Sequence, residues 1–116
     1  MAAGVRLAVT SNSDGNVADH LRRHEWVQLG VGPGATVDVI TDSGVVGVAK
    51  PDPAMYAATV AGLALPAARI LHVGDSVVYD VDGASAVGMQ AVHMDPFRIC
   101  DGDHPHVASL ADVLQM

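Results

Sequence analysis

The 116-residue chain predicts a single α/β domain, a parallel sheet of about four strands with helices on both faces. Three observations point there. Short apolar runs alternate four times with segments whose apolar residues recur at steps of three and four. The apolar half of the chain is mostly Val, Ala, Leu and Ile, with only four aromatic residues (one Trp, two Tyr, one Phe), a mixture suited to strands buried on both faces. Each of three strands is followed by a polar cluster, at the edge where open α/β sheets bind ligands. A chain of this size buries roughly 65% of its unfolded surface, enough for one ordinary core.

Val5 to Val9 reads as the first strand, ending in the small polar residues from Thr10 to Gly15. A helix over Val17 to His24 turns Val17 and Leu21 inward and Asp19, Arg22 and Arg23 outward. Trp26 to Leu29 is a short apolar patch, and Gly30-Val31-Gly32-Pro33-Gly34 reads as a loop. The second strand is Val37 to Thr41, followed by an extended, glycine-punctuated approach, Gly44 to Ala49, that leads to Lys50. Asp52-Pro53 has the form of an N-cap with proline at the first helical position, and the helix it opens should reach Leu63. Leu65-Pro66-Ala67 turns the chain into a third strand from Ile70 to Val73; the next helix stops at Gly88. Gln90 to Met94 is the fourth strand, Asp95 to Pro105 a polar loop, and Val107 to Leu114 a closing helix.

The stretch from Arg69 to Asp82 organises the rest. Ile70, Leu71 and Val73 form an apolar run that stops at Gly74-Asp75, and Asp80 falls in the first turns of the following helix. Two acids directed at one crevice suit a hard divalent cation such as Mg²⁺, which takes one or two protein carboxylates and fills its shell with water and phosphate oxygens. The plainer reading is that Asp75 makes a turn and Asp80 decorates a helix start. Twelve of the thirteen acids are Asp and five of the six bases are Arg, so Lys50, the one lysine, stands out against the compositional bias.

The formal charge of -7 argues against nucleic acid and against an anionic membrane surface as partners. No run approaches the length of a membrane span, and Met1 to Thr10 is too short, and too interrupted by Gly4 and Arg6, for a signal peptide. Cys100 is the only cysteine, which excludes an internal disulfide and fits a reducing, cytoplasmic setting.

Three motifs together resemble those of the haloacid dehalogenase-like (HAD) hydrolases: Ser11-Asn12 after a first apolar strand, Lys50 within Gly-Val-Ala-Lys-Pro-Asp-Pro, and Val-Gly-Asp-Ser at 73–76 with a further Asp80. They look like the second, third and fourth motifs of that superfamily, across most of the chain. The resemblance implies a Rossmann-like three-layer sandwich and a Mg²⁺-dependent phosphohydrolase core acting on a small phosphorylated molecule. It implies that Ser11 and Lys50 hold the transferring phosphoryl group, with Asn12 and the backbone after Ser11 also available to the phosphate. Asp75 would coordinate Mg²⁺ and Asp80 support it. Such roles suit phosphoryl transfer, which rests on positioning and charge neutralisation.

The family's first motif, a strand ending in an Asp-x-Asp that carries the nucleophile, has no counterpart in the residues ahead of Ser11, and no cap domain is expected within these 116 residues. The two Asp-x-Asp sequences, Asp80-Val81-Asp82 and Asp101-Gly102-Asp103, lie in the fourth-motif helix and in a proline-flanked loop. A truncated core with little activity alone and weak Mg²⁺ affinity is therefore expected. The alternatives are a non-catalytic module for a phosphorylated ligand or a protein partner, or a subunit completed by another chain. In the family the first-motif strand lies between those carrying the second and fourth motifs. Its lack predicts either direct pairing of Val5–Val9 with Ile70–Val73, or bare strand edges that draw in a second copy or a complementing polypeptide. Cys100, Asp101, Asp103, His104 and His106 read as a solvated loop rather than a metal site, His72 as a packed residue rather than a base, and His20 and His24 as a pair without a third ligand.

Overall fold

The computed structural model describes residues 5–113, in two compact units, the first ending at Leu65 and the second beginning at Pro66. The first contains β1 (Ala8–Ser11), α1 (Val17–Arg23), β2 (Val27–Leu29), β3 (Ala35–Val37), β4 (Val39–Asp42), α2 (Ser43–Val46) and α3 (Pro53–Leu63). The second contains β5 (Leu71–Gly74), a wide helical turn (Val77–Asp82), α4 (Gly83–Ala86), β6 (Gln90–Met94), β7 (His106–Val107) and α5 (Leu110–Val113). No helix among the described residues is long and apolar enough to cross a membrane.

Where the sequence predicts about four strands in one sheet, the described residues form seven short strands, all paired in parallel, in three small sheets. In the first unit β1 pairs with β4, placing Ser11 opposite Asp42, and β2 pairs with β3. In the second, the order is β5-β6-β7, with Val73 opposite Val92 and His93 opposite His106. Mixed α/β architecture with parallel strands is thus observed.

Helix α3 anchors the first core. Asp52 caps it by accepting from the Ala54 N–H at 2.9 Å, and Pro53 occupies the first turn, as the sequence predicts. Met55, Tyr56, Thr59 and Leu63 are buried on the face packed against β1 and β4. The guanidinium of Arg6 donates to the Leu63 carbonyl near the far end of this helix. Beneath α3 three hydroxyls join: Thr10 meets Thr59 at 2.7 Å, and Thr59 donates to Thr41 at 2.8 Å. Thr59→Val keeps the shape but strands the buried Thr41 hydroxyl and its Thr10 counterpart. We expect a loss of roughly 1–3 kcal/mol in urea unfolding, less than additive with Thr41→Val.

In the second unit Ile70, Val81, Ala84, Met89, Val92 and Val107 are buried. Gly88 takes φ 89° just past α4, where the sequence predicts the helix to stop.

Several boundaries differ from expectation. The first strand extends to Ser11. The expected strand Val37–Thr41 is broken at Asp38, whose carboxylate accepts from the Leu7 N–H at 2.9 Å while its own N–H donates to the Leu7 carbonyl at 2.8 Å. The extended approach expected from Gly44 is instead α2, capped by Asp42 and ended by Gly47 at φ 95°. The closing helix starts at Leu110 rather than Val107 and is preceded by β7; its expected end at Leu114 lies outside the described residues.

Candidate functional site

Two groups of residues carry the chemistry, one in each unit. In the first, β1 delivers half-buried Ser11 to its end, and Asn12 follows on the exposed turn. The Asn12 side chain clamps the Lys50 backbone: Oδ1 accepts from the Lys50 N–H at 2.8 Å, and Nδ2 donates to the Lys50 carbonyl at 3.3 Å. One amide thereby fixes the lysine's main chain from both sides and brings the second and third motifs together. Both ends of the Asn12 amide thus engage the Lys50 main chain, and its exposed nitrogen keeps a second N–H beyond this pair.

Asp42, which sequence reasoning missed, sets the shape of the turn between them. It is only 5% exposed. Its Oδ1 accepts from the Gly15 and Gly44 N–H groups at 2.9 and 2.8 Å, and its Oδ2 from the Val17 N–H at 2.9 Å. Ser43 completes the join: its hydroxyl accepts from the Ser13 N–H at 2.7 Å and donates to the Ser13 carbonyl at 2.9 Å. Burial pushes the Asp42 carboxyl up, yet the bonds from Val17, Gly44 and Gly15 outweigh it and hold the group below the usual carboxylate value. The amides of Ser13, Gly15 and Val17 are therefore engaged within the protein, which narrows the backbone that the sequence offers to an anion after Ser11. A signal was present: Asp-Ser-Gly directly after an apolar run is an N-cap pattern.

In the second unit β5 ends at Gly74, and exposed Asp75 follows, its carbonyl accepting from His93 Nε2 at 3.1 Å. Asp80 is 3% exposed. One carboxylate oxygen meets His72 Nε2 at 2.9 Å, and the other accepts from the Ser76 N–H at 3.1 Å. His72 is half-buried and held in this pair, in line with a packed residue. The turn carrying Asp80 is wide, with the Val81 N–H reaching back five residues to the Ser76 carbonyl at 3.2 Å. Such turns recur at functional sites because they reorient one side chain without ending a helix. Here the reoriented chain is Asp80, aimed under Gly74.

The loop from Asp95 to Pro105 differs most from the sequence reading. It folds Cys100 and His104 against His93 of β6 and His106 of β7, and these four residues offer ligand atoms all within 4.8 Å of one another. Asp101 and Asp103 are exposed and outside this group. His20 and His24 instead join an aromatic group with Trp26, whose ring stacks on His24 at 4.6 Å between centroids.

Residues 1–88 match the family model described as haloacid dehalogenase-like hydrolase. Over 88 residues, 76% of this chain, the sequence is 36% identical to haloacid dehalogenase-like hydrolase domain-containing protein 3 of Mus musculus. The aligned part is 32% of that protein, so the chain spans about a third of the length of the curated relatives it matches. A HAD phosphatase from Thermococcus onnurineus superposes with TM-score 0.84 at 23% identity, covering 97% of this chain and 50% of that one. The magnesium-bound YfnB of Bacillus subtilis superposes with TM-score 0.59 at 21% identity, covering 68% of this chain and 37% of that one. These two likenesses concern the fold, and the family follows from the sequence match: the chain belongs to the haloacid dehalogenase-like hydrolases.

Proposed function

We propose that these residues form the phosphate-holding and cation-holding part of a Mg²⁺-dependent HAD phosphohydrolase for a small phosphorylated molecule, and that the 116 residues alone turn over little or no phosphate ester. The observation that carries the reading is the Asn12 clamp, which fixes Lys50 against the turn that follows Ser11. In this role the Ser11 hydroxyl donates to a phosphoryl oxygen and the Lys50 ammonium offsets charge on the equatorial oxygens, while Asn12, Asp42 and Ser43 hold the turn in shape. Asp75 suits a Mg²⁺ ligand, being an exposed carboxylate at a strand end with its backbone anchored by His93. Asp80, buried and tied to His72 and Ser76, supports it from behind. Mg²⁺, when bound, supplies further charge neutralisation on the phosphoryl group. With one direct carboxylate among these groups, its affinity is weak.

A nucleophilic Asp-x-Asp supplied by another stretch of polypeptide restores turnover in this reading. It is supported by β1, in a two-stranded sheet, and by β5, at the end of its own sheet: among the described residues each has one strand edge without a partner in that sheet.

The test is hydrolysis of p-nitrophenyl phosphate with Mg²⁺, beside orthophosphate binding to the same chain. We expect turnover near background and phosphate binding that weakens at least about tenfold in Lys50→Ala. Family-like turnover that Asp75→Asn abolishes would overturn the proposed inactivity. Phosphate binding that survives both Lys50→Ala and Ser11→Ala would overturn the cradle.

A further inference from the structure

We propose that His93, Cys100, His104 and His106 form a structural Zn²⁺ site with one thiolate and three imidazole ligands. The geometry already approximates one. His104 Nε2 lies 3.2 Å from His93 Nδ1 and 3.5 Å from Cys100 Sγ. In a tetrahedral site with Zn–N of about 2.0–2.1 Å and Zn–S of about 2.3 Å, the nitrogen–nitrogen and nitrogen–sulfur edges come to roughly 3.4 and 3.6 Å. Since all four ligand atoms lie within 4.8 Å of one another, no pair has to close by more than about 1.4 Å to meet that geometry.

The surroundings orient the ligands as a metal requires. His93 and His106 sit opposite each other on paired strands β6 and β7, so two ligands stand on the sheet itself. His93 Nε2 donates to the Asp75 carbonyl at 3.1 Å, which places the ring proton on that nitrogen and leaves Nδ1 with its lone pair toward the cluster. The Asp95 carboxylate accepts from the Cys100 N–H at 2.9 Å and the Ile99 N–H at 3.2 Å, pinning the backbone that carries the thiol. Gly102 lets the loop pass over an imidazole, because a Cβ there would meet His104 Cε1 at 2.6 Å. Cys100 and His106 also line an open pocket of about 520 Å³, an entry path for an ion.

A thiolate with three imidazoles favours Zn²⁺ over hard cations such as Mg²⁺, and four protein ligands make a closed, structural site rather than a catalytic one. Closing it would fasten the 95–106 loop to β6 and, through His93, stiffen the carbonyl of Asp75. None of this depends on phosphate chemistry.

The experiment uses the full chain, reduced and free of any histidine tag, titrated with Zn²⁺ and separately with Co²⁺. Expected are one equivalent of Zn²⁺, an affinity at least about 100-fold lower in Cys100→Ser and in His104→Ala, and unchanged affinity in Asp101→Asn. Co²⁺ should give intense tetrahedral d–d bands and a thiolate charge-transfer band that Cys100→Ser removes. No stoichiometric Zn²⁺ uptake by the folded wild-type chain would overturn the proposal. So would a weak octahedral Co²⁺ spectrum without thiolate charge transfer, a wild-type readout that stands even where a variant fails to fold.

Discussion

Replacing Gly74 with alanine is expected to destabilise the chain by roughly 3 kcal/mol or more. A Cβ at this position would lie 2.1 Å from Asp80 Cγ and 2.2 Å from Asp80 Oδ2, far inside van der Waals contact. Asp80 has little room to retreat, since it is buried and its two oxygens are bound to His72 and to the Ser76 N–H. The added methyl must either push β5 away from the wide turn or expel a buried carboxylate from both partners. Breaking such a pair leaves His72 and the Ser76 amide without their acceptor, at a cost beyond the steric one. The glycine of Val-Gly-Asp-Ser is therefore required by the second aspartate of the same motif. Urea unfolding of Gly74→Ala, Asp80→Gly and the double variant measures this directly. The alanine should cost much less once position 80 has no side chain, and equal cost in both backgrounds would show that the clash lies elsewhere.

The elements whose signals are local were legible from residue order. Asp52-Pro53 starts α3, Gly88 follows α4, and β6 spans Gln90–Met94 as the periodicity predicts. Failures came where distant residues decide. The apolar run through Val37 and Thr41 reads as one strand, but the pair of hydrogen bonds between Asp38 and Leu7 breaks it and shifts the first strand toward Ser11. The valines after Gly44 favour an extended reading by propensity, yet the Asp42 cap and Gly47 enforce a helical turn. The same holds for the sites. Ser11, Lys50 and Asp75 stand out as polar residues at strand ends, whereas the metal-ligand cluster needs the parallel register of β6 and β7 to bring His93 to His106. The sequence shows Cys100, His104 and His106 close together, but not that the fourth ligand comes from the preceding strand. Its nearby Asp101 and Asp103, equally plausible by spacing, turn out to be exposed.

Asp42→Ala is expected to cost about 3 kcal/mol and to loosen the phosphate-holding turn, because one buried carboxylate receives the N–H groups of Gly15, Val17 and Gly44. Among the described residues these three amides have no other acceptor, and water reaches the buried position poorly. Asp42→Asn should cost less, about 1–2 kcal/mol, since its carbonyl oxygen can keep Gly15 and Gly44 while its amide nitrogen cannot accept from Val17. The two variants separate packing from charge through their response to acid. The folded-state pKa of Asp42 is depressed, so its stabilisation is present above the unfolded value of about 3.9 and is lost as pH falls through the folded one. Wild-type stability should therefore decline on this acid limb, and Asp42→Asn, which carries no titrating group there, should decline less steeply. Chemical unfolding followed from pH 6 down to about pH 3 checks the sign. Parallel acid limbs in the two proteins would mean that other carboxylates carry the dependence and that the three amide bonds do not set the charge state of Asp42.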